Sequence, residues 1–269
     1  MIIYLVLVSC LLVLLVFRFH YLTRNKEKFK AHATSFSNKG CEPLIIKKEN
    51  NEALIIVVDP IGAAKIGQMA CMIVKEVITN LYETSYAHIA PNDFLKKACF
   101  LAHRNISEQM NANSGGCSIA LVHINNRQLN YASVGDIGIY VYDDELTQLN
   151  QLDLYKYQLR DQVLKQKINE ERLLNHRLRN ELTAYLGHEN LKKVNLGKQE
   201  IHLDKYDKLL IATKDVYDAI TPIELEKILL QKGQPNNHLI ELEQIYHEEK
   251  QANMERLSTA SAVIVSHFK

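Results

Sequence analysis

The chain has 269 residues, and its 32 Lys and Arg against 31 Asp and Glu leave a formal charge of +1. That balance builds no field able to hold nucleic acid. The 5 cysteines (Cys10, Cys41, Cys71, Cys99, Cys117) include no C-x-x-C pair and the 11 histidines no H-x-x-x-H pair, which argues against a disulfide framework and a zinc site.

The first element is an apolar run, Met1–Phe17, followed by Arg18, Arg24, Lys26, Lys28 and Lys30. As a helix it reaches about 26 Å, enough for a hydrocarbon core of roughly 30 Å when Arg18 and His20 extend outward. No basic residue precedes the run, and bulky Phe17, Phe19 and Tyr21 stand where a cleavage site needs small residues. The expectation is a transmembrane anchor at 1–17, a basic juxtamembrane stalk at 18–36 and one domain at 37–269. The basic flank puts that domain on the cytoplasmic side of the cell membrane, as a single-pass protein.

Pro43–Ile46 and Ala53–Val58 are short β-branched runs around a polar turn, a hairpin whose second strand is buried on both faces. Helical periodicity follows over 62–83, with Ile66, Met69, Ala70, Ile73, Val74, Val77 and Leu81 on one face, and over 91–112 from Pro91. Strands are expected at Cys117–Ile124, Gln128–Val134 and Gly138–Tyr142. A charged, helix-prone stretch over 151–185, with a solvated helix at 158–182, comes next. Strands at Lys198–Leu203 and Lys208–Thr213, helices near 221–231 and 236–256, and a strand at Ser261–His267 complete an α+β sandwich. Gly62-Ala-Ala-Lys-Ile-Gly67 lacks the Lys-Ser/Thr of a phosphate loop and reads as the start of a packed helix.

Three acids end apolar strands: Asp59, Asp136 and Asp215. Carboxylates on separate strand tips can converge on a hard divalent cation, although such residues also cap turns.

Ordered blocks narrow the reading. Val57-Val-Asp-Pro-Ile-Gly-Ala63 stands where V-A-D-G-M-G-G is expected of one family. Gly116-Cys-Ser-Ile-Ala-Leu-Val122 and Leu129-Asn-Tyr-Ala-Ser-Val-Gly-Asp136 are similar to its G-T-T and L-x-x-A-N-V-G-D-S-R blocks. Ile168-Asn-Glu-Glu171 and His176–Gly187 are close to I-T-x-E-E and H-P-x-R-N-x-L-T-R-x-L-G. Asp207–Asp218 follows G-D-x-L-L-L-C-S-D-G-L-x-D, and the final strand is like T-V-V-V-V-x-x-F. In order and spacing the chain resembles the bacterial branch of the protein phosphatase 2C (PPM) family of metal-dependent serine/threonine phosphatases.

The resemblance implies an αββα sandwich of antiparallel sheets flanked by helices, here preceded by the one transmembrane helix. It implies Mg²⁺ or Mn²⁺ as cofactor, with two ions activating a water for attack on phosphorus. By its motifs Asp59 takes the bridging position, Asp215 a first-metal position, Asp136 a looser third-metal position and Glu42 the place of an early acid. Three departures stand against these matches. Pro60 replaces the Gly whose carbonyl is a ligand, and its φ is fixed. Ser258-Thr259 replaces the last D-N, so the final Asp ligand is lost at Ser258. Ser37 replaces the phosphate-gripping Arg, with Lys39 nearby only as a point charge. The implied function is a membrane-anchored pseudophosphatase or weakly active phosphatase that binds or regulates a phosphoprotein, a kinase or another membrane partner. The alternative is an active Mg²⁺- or Mn²⁺-dependent serine/threonine phosphatase.

Overall fold

Alternation along the central strands sorts their side chains into separate cores. The computed structural model describes residues 11–18, 29–36, 40–48, 51–86, 89–110, 115–189, 191–252 and 259–268. Helix α1 is described over 11–18. The elements after it are β1 (Lys30–Ser35), β2 (Leu44–Lys48), β3 (Glu52–Gly62), α2 (Ala64–Ser85), α3 (Pro91–Gln109), β4 (Gly115–Asn125), β5 (Gln128–Val134), β6 (Gly138–Tyr142) and β7 (Leu146–Gln148). Then come α4 (Tyr155–Leu164), α5 (Glu170–Leu174), β8 (Asn195–Leu196), β9 (Ile201–His202), β10 (Lys208–Ala212), α6 (Lys214–Ala219), α7 (Pro222–Leu230), α8 (Pro235–Ala252) and β11 (Ser261–Ser266).

Two antiparallel sheets result, one in the order β1-β11-β10-β6-β7 and one in the order β2-β3-β4-β5-β8, with β9 also on β5. In β3, Leu54, Ile56 and Val58 pack with α2 and α3, while Ala53, Ile55 and Val57 meet the other sheet. In β10 and β11, Leu209, Ile211, Val263 and Val265 face that same inter-sheet core, while Leu210, Ala212, Ala262 and Ile264 pack with α7 and α8. Three apolar layers therefore separate four structural layers, helix–sheet–sheet–helix, because a period of two serves both faces of each sheet. This is the expected α+β sandwich, and β5 and β6 have the bounds expected of them.

Other expectations need correction. Residues 30–35, assigned to the stalk, form β1, paired along its length with β11, and Phe29 is buried between the sheets. The stretch expected to be one helix at 158–182 is two short helices, α4 and α5, and irregular chain. Its ends are tied down by backbone bonds such as Thr183 N–H to the Asp153 carbonyl at 2.8 Å. With only Leu159 buried in α4 and no residue buried in α5, propensity alone does not extend a helix. The expected strand at 198–203 is the short β9, and Thr213 lies past the end of β10.

Of the expected anchor, 11–17 is helical and exposed throughout, and 1–10 lies outside the described residues. No described helix is long and apolar enough to cross a membrane.

Candidate functional site

Asp59 continues the face of Ala53, Ile55 and Val57, which looks toward the second sheet, so the fold carries a carboxylate to the seam between the sheets. It is 9 % exposed, and the Thr259 hydroxyl donates to its Oδ1 at 2.5 Å. Thr259 comes just before β11, so this bond joins the two sheets. Across the β3–β4 ladder Asp59 stands opposite Ser118. The Ser118 hydroxyl donates at 2.7 Å to Oδ1 of Asp136, which is 6 % exposed in the turn between β5 and β6.

That turn needs glycine. Gly135 has φ +100°, and a Cβ on it would lie 2.2 Å from the Ser118 hydroxyl oxygen. Its N–H donates to Asp153 Oδ2 at 2.9 Å, and Asn195 donates to the other oxygen of Asp153 at 3.0 Å. The Tyr217 hydroxyl donates to the Asp136 carbonyl at 2.7 Å. Asp136 is thus fixed from both sides.

Burial pushes Asp59 well above the usual carboxylate range. The Thr259 hydroxyl opposes that shift, and the charges of Asp136 and Asp215 add to it. Burial also raises Asp136, against the Ser118 hydroxyl and the Lys214 ammonium. The three strand-tip acids are therefore close enough to feel one another, as their positions in the sequence lead one to expect. Asp215 lies half-buried in the first turn of α6. Pro60 faces the opposite way along the strand, toward α2: a Cβ on Gly67 would come within 2.6 Å of the Pro60 Cβ. Glu42 is exposed in the loop before β2, where its charge bears on Cys41. Ser37, Lys39 and Ser258 lie outside the described residues.

A separate cleft of about 800 Å³ opens at the far end of the five-stranded sheet, bordered by Tyr142, Asp207, Lys208, Gln231 and Phe268. It contains none of the three acids.

No protein-family model and no curated protein matches the chain. Solved structures do. The serine/threonine phosphatase of S. agalactiae superposes with a TM-score of 0.75 at 18% identity, over 88% of this chain and 99% of that one. The catalytic domain of the serine/threonine protein phosphatase PstP, in complex with 2 manganese ions, gives 0.64 at 16%, over 88% and 97%. PppA of Pseudomonas aeruginosa, a key regulatory component of T6SS, gives 0.67 at 13%, over 89% and 98%. The chain has the fold of the bacterial serine/threonine phosphatases. At these identities the likeness is one of fold.

Within this phosphatase fold the sequence reading missed one residue. Read without a gap, Asp207–Asp218 lies against D-x-L-L-L-C-S-D-G-L-x-D so that Lys214 falls on the motif's first acid after the strand and Asp215 on its Gly. Lys214 is half-buried, pairs with the Asp218 carboxylate and acts on Asp136 as a positive charge. The signal is in the sequence, where Lys214-Asp215 stands in place of the motif's Asp-Gly.

As placed, these groups do not fit a pair of divalent ions. Such ions need several anionic oxygens free to coordinate. Asp59 already accepts a hydroxyl hydrogen bond on Oδ1, Asp136 accepts another on its own Oδ1, and an ammonium that repels cations acts on Asp136. Among the described residues no set of three or more His, Cys, Asp or Glu side chains is arranged to hold a metal ion.

Proposed function

We propose that the chain is a pseudophosphatase, a phosphatase fold with weak or no turnover that binds or regulates a phosphoprotein partner at a membrane. One observation carries the reading: the buried acids at the bridging and third-metal positions, Asp59 and Asp136, are already engaged, Asp59 by Thr259 and Asp136 by Ser118 and Lys214. A site whose own hydroxyls and ammonium answer its carboxylates keeps its shape without metal, and shape is what a binding module needs. The regulatory part of the reading is supported by the structural likeness to PppA. Tethering at the membrane is supported by the uncharged run Met1–Phe17 and the basic cluster behind it.

The test is isothermal titration of the purified full chain, held in detergent, with Mn²⁺ to millimolar concentration, alongside turnover of a phosphoserine peptide. The expected outcome is no saturable heat and no metal-dependent turnover. Mn²⁺-dependent hydrolysis that disappears in Asp59→Ala would establish the alternative, an active metal-dependent phosphatase. Shielding of a C-terminal tag from protease added outside intact bacterial cells, and its cleavage after lysis, checks the proposed orientation.

A further inference from the structure

The cleft at the far end of the five-stranded sheet lies where the chain enters the domain. Lys30 stands opposite Ser266, and Lys208 opposite Tyr142, all at that one end of β1, β11, β10 and β6. Phe29, just before β1, packs on Phe268 of the cleft wall with ring centroids 6.1 Å apart. Lys30 Nζ donates to Gln234 Oε1 at 2.9 Å, next to the cleft residue Gly233. The preceding part of the expected stalk, 19–28, lies outside the described residues.

Carboxylates border the cleft on two turns, Asp143 and Asp144 after β6, Asp204 and Asp207 before β10. Asp204 is taken by Arg127 at 2.9 Å, and Asp207 accepts the Asp204 N–H at 2.6 Å. Asp143 and Asp144 are exposed and, among the described residues, pair with no cation. The lysines of the cleft do not answer them. Lys208 donates to the carbonyls of Leu229 and Gln231, Lys205 lies over the Tyr206 ring at 5.2 Å, and Lys232 is exposed at the rim. Burial raises Asp207 against the bond from the Asp204 N–H, and the charges of Asp204 and Asp143 add to it, a crowding that an added cation relieves. One wall is open and apolar, with Tyr206 81% and Leu230 67% exposed.

We propose that segment 19–28 of this same chain docks in the cleft, its Arg24, Lys26 and Lys28 on the carboxylates of Asp143, Asp144 and Asp207. The segment carries those three cations against the one acid Glu27, and Tyr21 and Leu22 suit the apolar wall. Its reach fits. From β1 to β6 is three strand steps, about 14 Å, and the extended chain from Lys28 back to Arg24 spans roughly the same. Tethered beside its seat, the segment meets the cleft at an effective concentration on the order of millimolar, so pairs that are individually weak suffice. A free basic peptide has no such advantage. Combined with the tethering proposed above, docking turns the Asp59 pocket, at the opposite end of β10 and β11, away from the bilayer. Docking itself depends neither on that tethering nor on what the pocket does.

The full chain, in detergent and again in vesicles containing phosphatidylglycerol, is treated with a carbodiimide that joins touching amines and carboxylates, then digested and weighed. The expected products are peptides that link Lys26 or Lys28 to Asp143, Asp144 or Asp207 with loss of one water. The Lys165–Asp161 and Lys214–Asp218 pairs serve as internal controls. In a mixture of ¹⁴N and ¹⁵N chains the links should stay within one isotope. Asp143→Asn with Asp144→Asn should keep the urea transition, since asparagine accepts the φ of +78° at 144. Trypsin should then cut after Arg24 and Lys26 about two- to fivefold faster than in the wild type. Control links without stalk links would overturn the docking, and so would equal cleavage rates. Hybrid-isotope links would give the cleft to a second copy, and links lost in the vesicles would give the segment to lipid headgroups; either overturns it.

Discussion

Asp59 and Asp136 resist ionising because burial outweighs the hydroxyls that serve them. The sign of the resulting pH dependence follows from linkage. With the folded value above the unfolded one of about 3.9, the stabilising contribution is complete below that value and is lost as pH rises through the folded value. Asp59→Asn removes the charge without changing the shape, so at pH 7 it should raise stability by on the order of 1 kcal/mol, or about 2–4 °C in Tm. The gain should shrink toward pH 4, which a series of thermal melts would show. Thr259→Val deletes the donor to Asp59 and, above the folded value of that carboxyl where it is ionised, should cost about 1.5–3 kcal/mol. In the Asp59→Asn background the cost should fall to about 1 kcal/mol, the coupling that a double-mutant cycle in urea measures. At this scale Asp59, Asp136 and Asp215 were legible because an acid at the end of an apolar strand is conspicuous. Thr259 was legible only as the residue after the lost ligand at Ser258, since a short hydroxyl carries no sign of what it will touch 200 residues away.

Among the elements, hairpins were read well and edges badly. β3 and β4 are unbroken apolar runs between turn residues, and Asn126, with φ +57°, makes the expected tight turn before β5. β1, Lys-Ala-His-Ala-Thr-Ser, has no strong alternation and owes its structure to pairing with β11, which local sequence cannot reveal. The stretch 158–182 failed in the opposite sense, rich in helix formers but with little apolar face to dock. Turn geometry makes the sharpest prediction at this level. Gly135→Ala forces a Cβ into the Ser118 hydroxyl at a backbone angle that alanine disfavours. It should cost on the order of 3 kcal/mol in urea unfolding and disturb Asp136 directly. A loss of less than about 0.5 kcal/mol would mean that the turn relaxes freely.

For the whole molecule, layer order was readable because strands buried on both faces require cover on both sides. The start of the domain was not. A chain beginning at residue 37 lacks β1 and the buried Phe29 and Phe36, one from the inter-sheet core and one from the outer core. The expected loss exceeds about 5 kcal/mol, comparable with the stability of an entire domain. Such a fragment should show no cooperative urea transition, whereas a chain beginning at residue 29 should keep one.

In the five-stranded sheet, the last strand to be synthesised, β11, lies between the first, β1, and β10. A nascent chain therefore carries β1 without a mate until β11 leaves the ribosome. Asp59 meanwhile waits for the threonine that will quiet it. The pocket is completed only once Thr259 has emerged, and a ribosome stalled short of that residue displays a sheet without β11 and with Asp59 bare.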